Sequence, residues 1–365
     1  MVVGVLTFHH VYNYGALLQV YALQRFLTEL GHDVQVLDVR PFHRPPPFVA
    51  KANRYLRPFL KVLASMGWLK PDEKTRKFDR FRNSYINLSA YYKTLSNVVD
   101  GDIRFDALIV GSDQVWNPKY GKFALDTYFA TAVGSDTRKI GYAVCCGTEF
   151  FDEDKLKPYA SDILGFDLIG ARDDFTKKMV KVLSGRDAEV VVDPTILIEW
   201  DDFGTSGEIG DLPKEYIFYY GYSKNGDLAA KNLSSLINLP VVNVGMETDR
   251  QTGDGYQLAD LGPLEWVEAM RRSSYVITKS FHGVMLALKL RKPVLIVPLD
   301  DPSAIRLIDA AKRFGAEEAL LPSGDMPEDS FLQQATSINW SNVWRLVDEA
   351  AVSSRKLLKE TLEIQ

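Results

Sequence analysis

Cysteine is almost missing from this chain. Its 365 residues hold two, Cys145 and Cys146, side by side. A bond between neighbours is strained and closes no loop, so a disulfide framework is excluded, as is zinc-type spacing. Adjacent thiols read as small buried strand residues in a reducing compartment. Histidine is scarce too, and His9 and His10 are adjacent rather than four apart, so no metal site is expected. A basic excess is lacking: 43 Lys and Arg against 48 Asp and Glu give a net charge of −5, which argues against a nucleic-acid partner. No run reaches 18 apolar residues, and the opening MVVGVLTF is too short and uncharged for a signal peptide. A cytoplasmic setting is expected. Asp38 ends the second strand pattern, as a nicotinamide-binding unit would require. Of the three glycines that pyrophosphate needs, only Gly15 is present, so that class is excluded, and there is no P-loop.

What is there is alternation. Val2–Phe8 reads as a buried parallel strand, Gly15 opens a helical stripe ending at Gly31, and Val34–Val39 is a second strand. Strand patterns recur at Phe105–Gly111, Arg138–Val144, Phe166–Arg172 and Glu189–Pro194. Glu199–Pro213 is polar and Gly-bearing, as an interdomain link would be. Strands then restart at Tyr216–Gly221, Leu239–Gly245, Tyr275–Thr278 and Lys292–Pro298, with helices between them. The economical fold is α/β, two doubly wound Rossmann-like domains facing a cleft. The first covers residues 1–200, with a basic helical insertion at about 40–100. The second covers 213–340, and residues 341–365 form a helix that could return to the first.

The segment YVITKSFHGVM (Tyr275–Met285) carries the most chemistry. A strand runs into Ser280, which can cap a helix starting near Phe281, and helix N-termini attract anions. His282 in that first turn adds a group able to move protons near neutral pH, and Lys279 adds a cation. A capped helix with a partly buried histidine is the plainer alternative. Between Val39 and Arg82, twelve Lys and Arg stand against three acids, an excess of nine. Within it, Arg54–Lys70 mixes Leu, Phe, Met and Trp with basic residues. It reads either as a lid packed on the first domain or as a face for an anionic bilayer.

Six segments in order resemble the polysaccharide pyruvyl transferase family. They are Thr7–Leu23 (TFHHVYNYGALLQVYAL), Asp106–Pro118 (DALIVGSDQVWNP), GARDD at Gly170–Asp174, VVDPT at Val191–Thr195, Gly262–Gly283 and Arg306–Gly315. The resemblance implies a GT-B-like fold. It also implies transfer of the pyruvyl group of phosphoenolpyruvate to a sugar diol as a cyclic ketal, with phosphate released and no cofactor or metal. The acceptor would be a surface polysaccharide or its lipid-linked precursor, met at the inner face of the plasma membrane by peripheral contact. Two rival functions remain: a glycosyltransferase using a nucleotide sugar, and a non-catalytic sugar-binding relative.

Residue by residue, the resemblance makes His282 the acid/base and Arg172 an anion clamp on the donor. Lys279, Ser280, Phe281 and Gly283 would complete the donor seat, with Lys279 replacing an arginine that many relatives carry where this chain has Ser280. The common form of the corner reads T-D-S-F-H-G, so Lys279 also stands in place of an acid. Asp113 is expected as a second catalytic group. Asn13, Tyr14, Gln114, Trp116 and Asn117 would line the acceptor side of the first domain. Tyr219, Tyr220 and Tyr222 are expected in the core.

Overall fold

Valine and leucine fill both faces of the opening strand, β1 (Val2–Leu6), and Val3, Val5 and Leu6 are fully buried. A strand with no polar face needs partners on both sides and layers above and below. The computed structural model, which describes residues 1–41, 72–101, 104–201, 209–245, 256–298, 304–322 and 329–363, supplies both. β1 lies in a seven-stranded parallel sheet with β2 (Asp33–Val39), β3 (Leu88–Tyr92), β4 (Ala107–Val110), β5 (Arg138–Val144), β6 (Leu168–Ala171) and β7 (Glu189–Val190). The order is β3-β2-β1-β4-β5-β6-β7, with Val3 opposite Val34 on one side and Ala107 on the other. Strand order reverses between β1 and β4, so the loops after these strands face each other across a crevice.

A second parallel sheet, ordered β10-β9-β8-β11-β12, comprises β8 (Ile217–Tyr220), β9 (Val241–Val244), β10 (Tyr256–Leu258), β11 (Tyr275–Thr278) and β12 (Val294–Ile296). Its reversal falls between β8 and β11. Among the helices packed around the two sheets are α1 (Tyr14–Glu29), α2 (Glu73–Tyr85), α3 (Asp174–Ser184), α4 (Lys224–Ile237), α5 (Pro263–Arg272), α6 (Phe281–Lys289), α7 (Ile305–Arg313) and α8 (Trp340–Glu363).

Three differences from the sequence patterns have simple causes. Glu189–Pro194 is a strand only for two residues, because Asp193 caps a short 3-10 turn, Pro194–Ile196. Within the basic stretch at 40–100, Leu88–Tyr92 is an edge strand of the first sheet; its half-exposed LSAYY shows little alternation. Residues 42–71, which include Arg54–Lys70, lie outside the described residues. No described helix is long and apolar enough to cross a membrane.

The two sheets are joined through one apolar cluster that includes Val3, Leu17 and Trp200 on one side and Phe218, Trp266 and Val284 on the other. Tyr14 is its staple. Its ring stacks on Trp266 at 5.1 Å and its hydroxyl donates to the Leu261 carbonyl at 2.8 Å. The last helix crosses back over the first sheet: Ser354 Oγ accepts from Val192 N, and Arg138 donates to the Thr361 and Leu362 carbonyls. Replacing Tyr14 with Phe keeps the stack and strands the Leu261 carbonyl, so urea unfolding should show a loss of about 1–2 kcal/mol.

Candidate active site

Three turns converge where the sheets meet. The first is the Asn13-Tyr14-Gly15 entry to α1, capped by Asn13, whose side chain accepts from Ala16 N. The second is the Ser280 cap of α6, whose side chain accepts from Gly283 N. The third is the Asp193 turn, where Oδ1 accepts from Thr195 N at 3.0 Å and Thr195 Oγ1 at 2.8 Å. Asp193 is completely buried. Its other oxygen, Oδ2, accepts from Ser112 Oγ at 3.0 Å and lies 3.4 Å from both Arg172 Nη1 and His282 Nε2. An uncompensated carboxylate at such depth would be prohibitively costly, and the Arg172 guanidinium with the hydroxyl, amide and imidazole groups around it is what makes it tolerable.

Arg172, just beyond the end of β6, is almost as deeply buried and lies between two acids, with Nη2 3.5 Å from Asp113 Oδ1. Its guanidinium stacks over the Phe281 ring at 4.3 Å. Asp113 sits in the left-handed region at φ 79°, a conformation that is strained for a non-glycine residue and that clusters at functional sites. Burial acts to raise both carboxyls. Arg172, His282 and Arg306 outweigh it at Asp113, and His282 and Arg172 outweigh it at Asp193, so both lie below the usual carboxylate range.

The cluster is satisfied in charge and incomplete in hydrogen bonds. Arg172 Nε and Nη2 and His282 Nε2 are buried without a hydrogen-bond partner. Three orphaned polar atoms converging beside the N-terminus of α6 are what an anionic ligand would satisfy.

His282 comes from the second sheet but is seated on the first. A Cβ added at Gly15 would overlap His282 Nδ1 and Cγ, so the ring occupies the space a side chain would need. Deeper support runs through α1. The fully buried Gln19 donates to Thr7 Oγ1 and accepts from Ser112 N, and Thr7 Oγ1 donates to the Ser112 carbonyl. The turn-glycine and helix-glutamine pattern of the first motif thus holds the Ser112 loop that holds Asp193.

His282, Arg172, Asp113, Ser280, Phe281 and Gly283 are therefore brought together. Gln114 joins them: with its amide oxygen turned to Arg306, it accepts from Nη1 at 3.0 Å and Nη2 at 3.3 Å. Four expectations require correction. Trp116 is core, fully buried, stacked on Phe129 at 4.9 Å and donating to the Tyr128 carbonyl. Tyr14 is the interdomain staple. Asn117 is 1% exposed and turned toward Gln114 and the Lys119 amide. Lys279 points away into the second sheet, where its ammonium donates to the Tyr222 carbonyl. Asn13 is exposed but spends its side-chain oxygen on the helix cap. Tyr219 and Tyr222 hydrogen-bond inward, to Asp227 and the Val244 carbonyl.

Two residues of the site escape a reading of the sequence. Asp193 lies inside VVDPT, but an Asp before Pro reads as a turn former. Arg306 opens α7 and approaches Phe281 at 5.8 Å, supplying the cation that Lys279 does not. Its place at the start of the segment Arg306–Gly315 is the signal for it.

The sequence profile of the polysaccharide pyruvyl transferases matches residues 13–301, most of the chain. The chain belongs to that family. It is thereby a transferase of polysaccharide biosynthesis, and its fold is GT-B. Among solved structures, it resembles a UDP-GlcNAc 2-epimerase from Neisseria meningitidis bound to UDP-GlcNAc, with TM-score 0.55, 11% identity and 99% of each chain covered. It also resembles Arabidopsis thaliana UGT89C1 complexed with UDP-L-rhamnose, with TM-score 0.56, 10% identity and coverage of 100% and 99%. Identities this low show the fold alone. No protein of curated function matches the sequence.

Two outcomes test the geometry. Gly15→Ala should evict the imidazole, seen as a displaced His282 ring in a crystal structure, at an overpacking cost of about 1–3 kcal/mol. Asp193→Asn should lower unfolding stability by about 3 kcal/mol at neutral pH by leaving Arg172 underpaired. Because the folded Asp193 carboxyl is depressed, its stabilisation is present above the ordinary carboxylate range. The gap between wild type and variant should therefore narrow as pH falls below about 4.

Proposed function

We propose that this pyruvyl transferase uses phosphoenolpyruvate as donor and a sugar diol as acceptor, forming a cyclic ketal and releasing phosphate. The acceptor is a surface polysaccharide or its lipid-linked precursor. The observation that carries the reading is the set of unpaired Arg172 and His282 nitrogens beside the α6 N-terminus, balanced from behind by Asp193. A donor with a carboxylate and a phosphate matches two guanidinium groups and free backbone N–H groups.

Each residue takes a separate part in the reaction. Arg172 and Arg306 hold the donor's anionic groups. His282 Nε2, 3.4 Å from Asp193 Oδ2, takes the part of general acid and gives up a proton. That proton goes to the methylene carbon as a sugar hydroxyl bonds the enol carbon, and the double-bond electrons form the new C–H bond. Asp113, held ionised, accepts from the attacking hydroxyl and passes its proton back to the imidazole. The C–O bond to phosphate then breaks, the second hydroxyl closes the ring, and its proton leaves with phosphate. Asp193 is a positioning residue that stabilises the imidazolium.

Phosphate release from phosphoenolpyruvate in the presence of methyl galactoside or mannosamine acceptors tests this. His282→Ala should lower kcat by 10²–10⁴-fold. Absence of release by the unmodified protein, with a thermal shift on UDP instead, would favour the nucleotide-sugar reading that the fold also accommodates. Arg306→Gln should raise KM for phosphoenolpyruvate about tenfold or more, whereas Lys279→Met should leave it within about twofold. Since Asp113 and Asp193 are both depressed, neither can produce an activity limb between pH 5 and 8. Asp113→Asn should lower the rate by about 10²-fold or more while leaving KM for phosphoenolpyruvate little changed.

A further inference from the structure

Of the five residues expected to line the acceptor wall, Tyr14, Trp116 and Asn117 are buried, and Asn13 is committed to a helix cap. The first domain still presents one bare aromatic on the loop that reaches Gln114. Phe150, in the loop after β5, is 82% exposed, the highest value of any large apolar side chain among the described residues. A single exposed ring is ordinary at a surface, so its meaning rests on how its loop is held.

This loop is held on both sides of the ring. Before it, Gly147 has φ +77°, and a Cβ there would collide with the side-chain amides of Gln114 and Asn117. Cys146 Sγ donates to the Thr148 carbonyl, and Thr148 Oγ1 donates to the carbonyl of Phe150 itself. After it, Phe151 packs onto the core of the first domain. The backbone is thus pinned against Gln114, the neighbour of Asp113 and the partner of Arg306. The loop leaves the carboxyl end of β5, and the Phe150 ring on it is exposed.

The geometry points to Phe150 as a stacking platform for the pyranose ring of the acceptor. A phenyl face matches the C–H face of a sugar ring, and the pinned loop presents it without an ordering cost on binding. This inference rests on the acceptor being a sugar, as in the proposed reaction. It adds which residue grips that sugar: Phe150 acts in acceptor affinity and not in donor binding.

The experiment compares wild type with Phe150→Ala and Phe150→Trp. It uses saturation-transfer NMR with methyl pyranosides of galacto, gluco and manno configuration, alongside KM for each substrate. Saturation should pass to the C–H face of at least one pyranoside in wild type and in Phe150→Trp, and be lost in Phe150→Ala. Phe150→Ala should raise KM for the acceptor roughly tenfold, equivalent to about 1.4 kcal/mol, with KM for phosphoenolpyruvate unchanged. Unaltered acceptor KM and saturation transfer in Phe150→Ala would overturn the assignment. So would an equal rise in both KM values, or no saturation transfer to any pyranoside in wild type. Saturation transfer that depends on Phe150 in a protein that releases no phosphate would refute the pyruvyl reading and sustain this one.

Discussion

One fully buried carboxylate organises this molecule. Asp193 is contributed by the first sheet but is matched by charges from both: Arg172 from the end of β6 and His282 from the helix after β11. Removing either cation would leave a charge in the interior, so the pairing couples the relative position of the two sheets to the electrostatics of the site. Elsewhere the join is an apolar cluster with a few hydrogen bonds, such as that from Tyr14 to the Leu261 carbonyl. Here a displacement of an ångström would separate the ions, which is why the turn carrying Asp193 is itself locked by Thr195 and Ser112.

The same coupling explains why glycine and glutamine stand where they do in the first motif. The histidine needs a seat without a side chain, which Gly15 provides. The Ser112 loop needs a buried donor and acceptor beneath it, and Gln19 provides both. Neither residue touches the open face of the cluster. Their role is to remove freedom from groups that do, the preorganisation on which electrostatic catalysis depends.

The larger architecture is legible in the sequence because buried parallel strands leave continuous apolar runs. β1, β2, β4, β5, β8, β9 and β11 all announce themselves this way. The edge strands β3 and β10 do not, since a half-solvated edge needs no such run. At the site, His282, Arg172 and Asp113 can be named because each sits at a strand end or helix start. Trp116 and Tyr14 mislead for one reason: an aromatic in a loop beyond a strand serves equally as a sugar contact or as a plug. Only the packing of Phe129 and Trp266 against them decides. Asp193 is hidden by its own neighbour, because Asp-Pro reads as a turn whether or not the carboxylate works.

The position of positive charge shows where a linear reading reaches its limit. Proximity in sequence puts the replacement cation at Lys279, one residue from the cap and three from His282. In space that side chain follows the crevice of the second sheet to the Tyr222 carbonyl. Arg306, 24 positions beyond His282, instead reaches Gln114 and the Phe281 ring. What the chemistry demands is net charge within a few ångströms of the orphaned nitrogens, since interaction falls with distance and burial amplifies it. Any helix whose start faces that volume can meet the demand. α7 does so while its other end anchors to the first domain, with Arg313 donating to the Val191 carbonyl two residues before Asp193. One helix therefore carries the Arg306 cation at its start and braces the Asp193 turn at its end, so movement of that helix would alter both together.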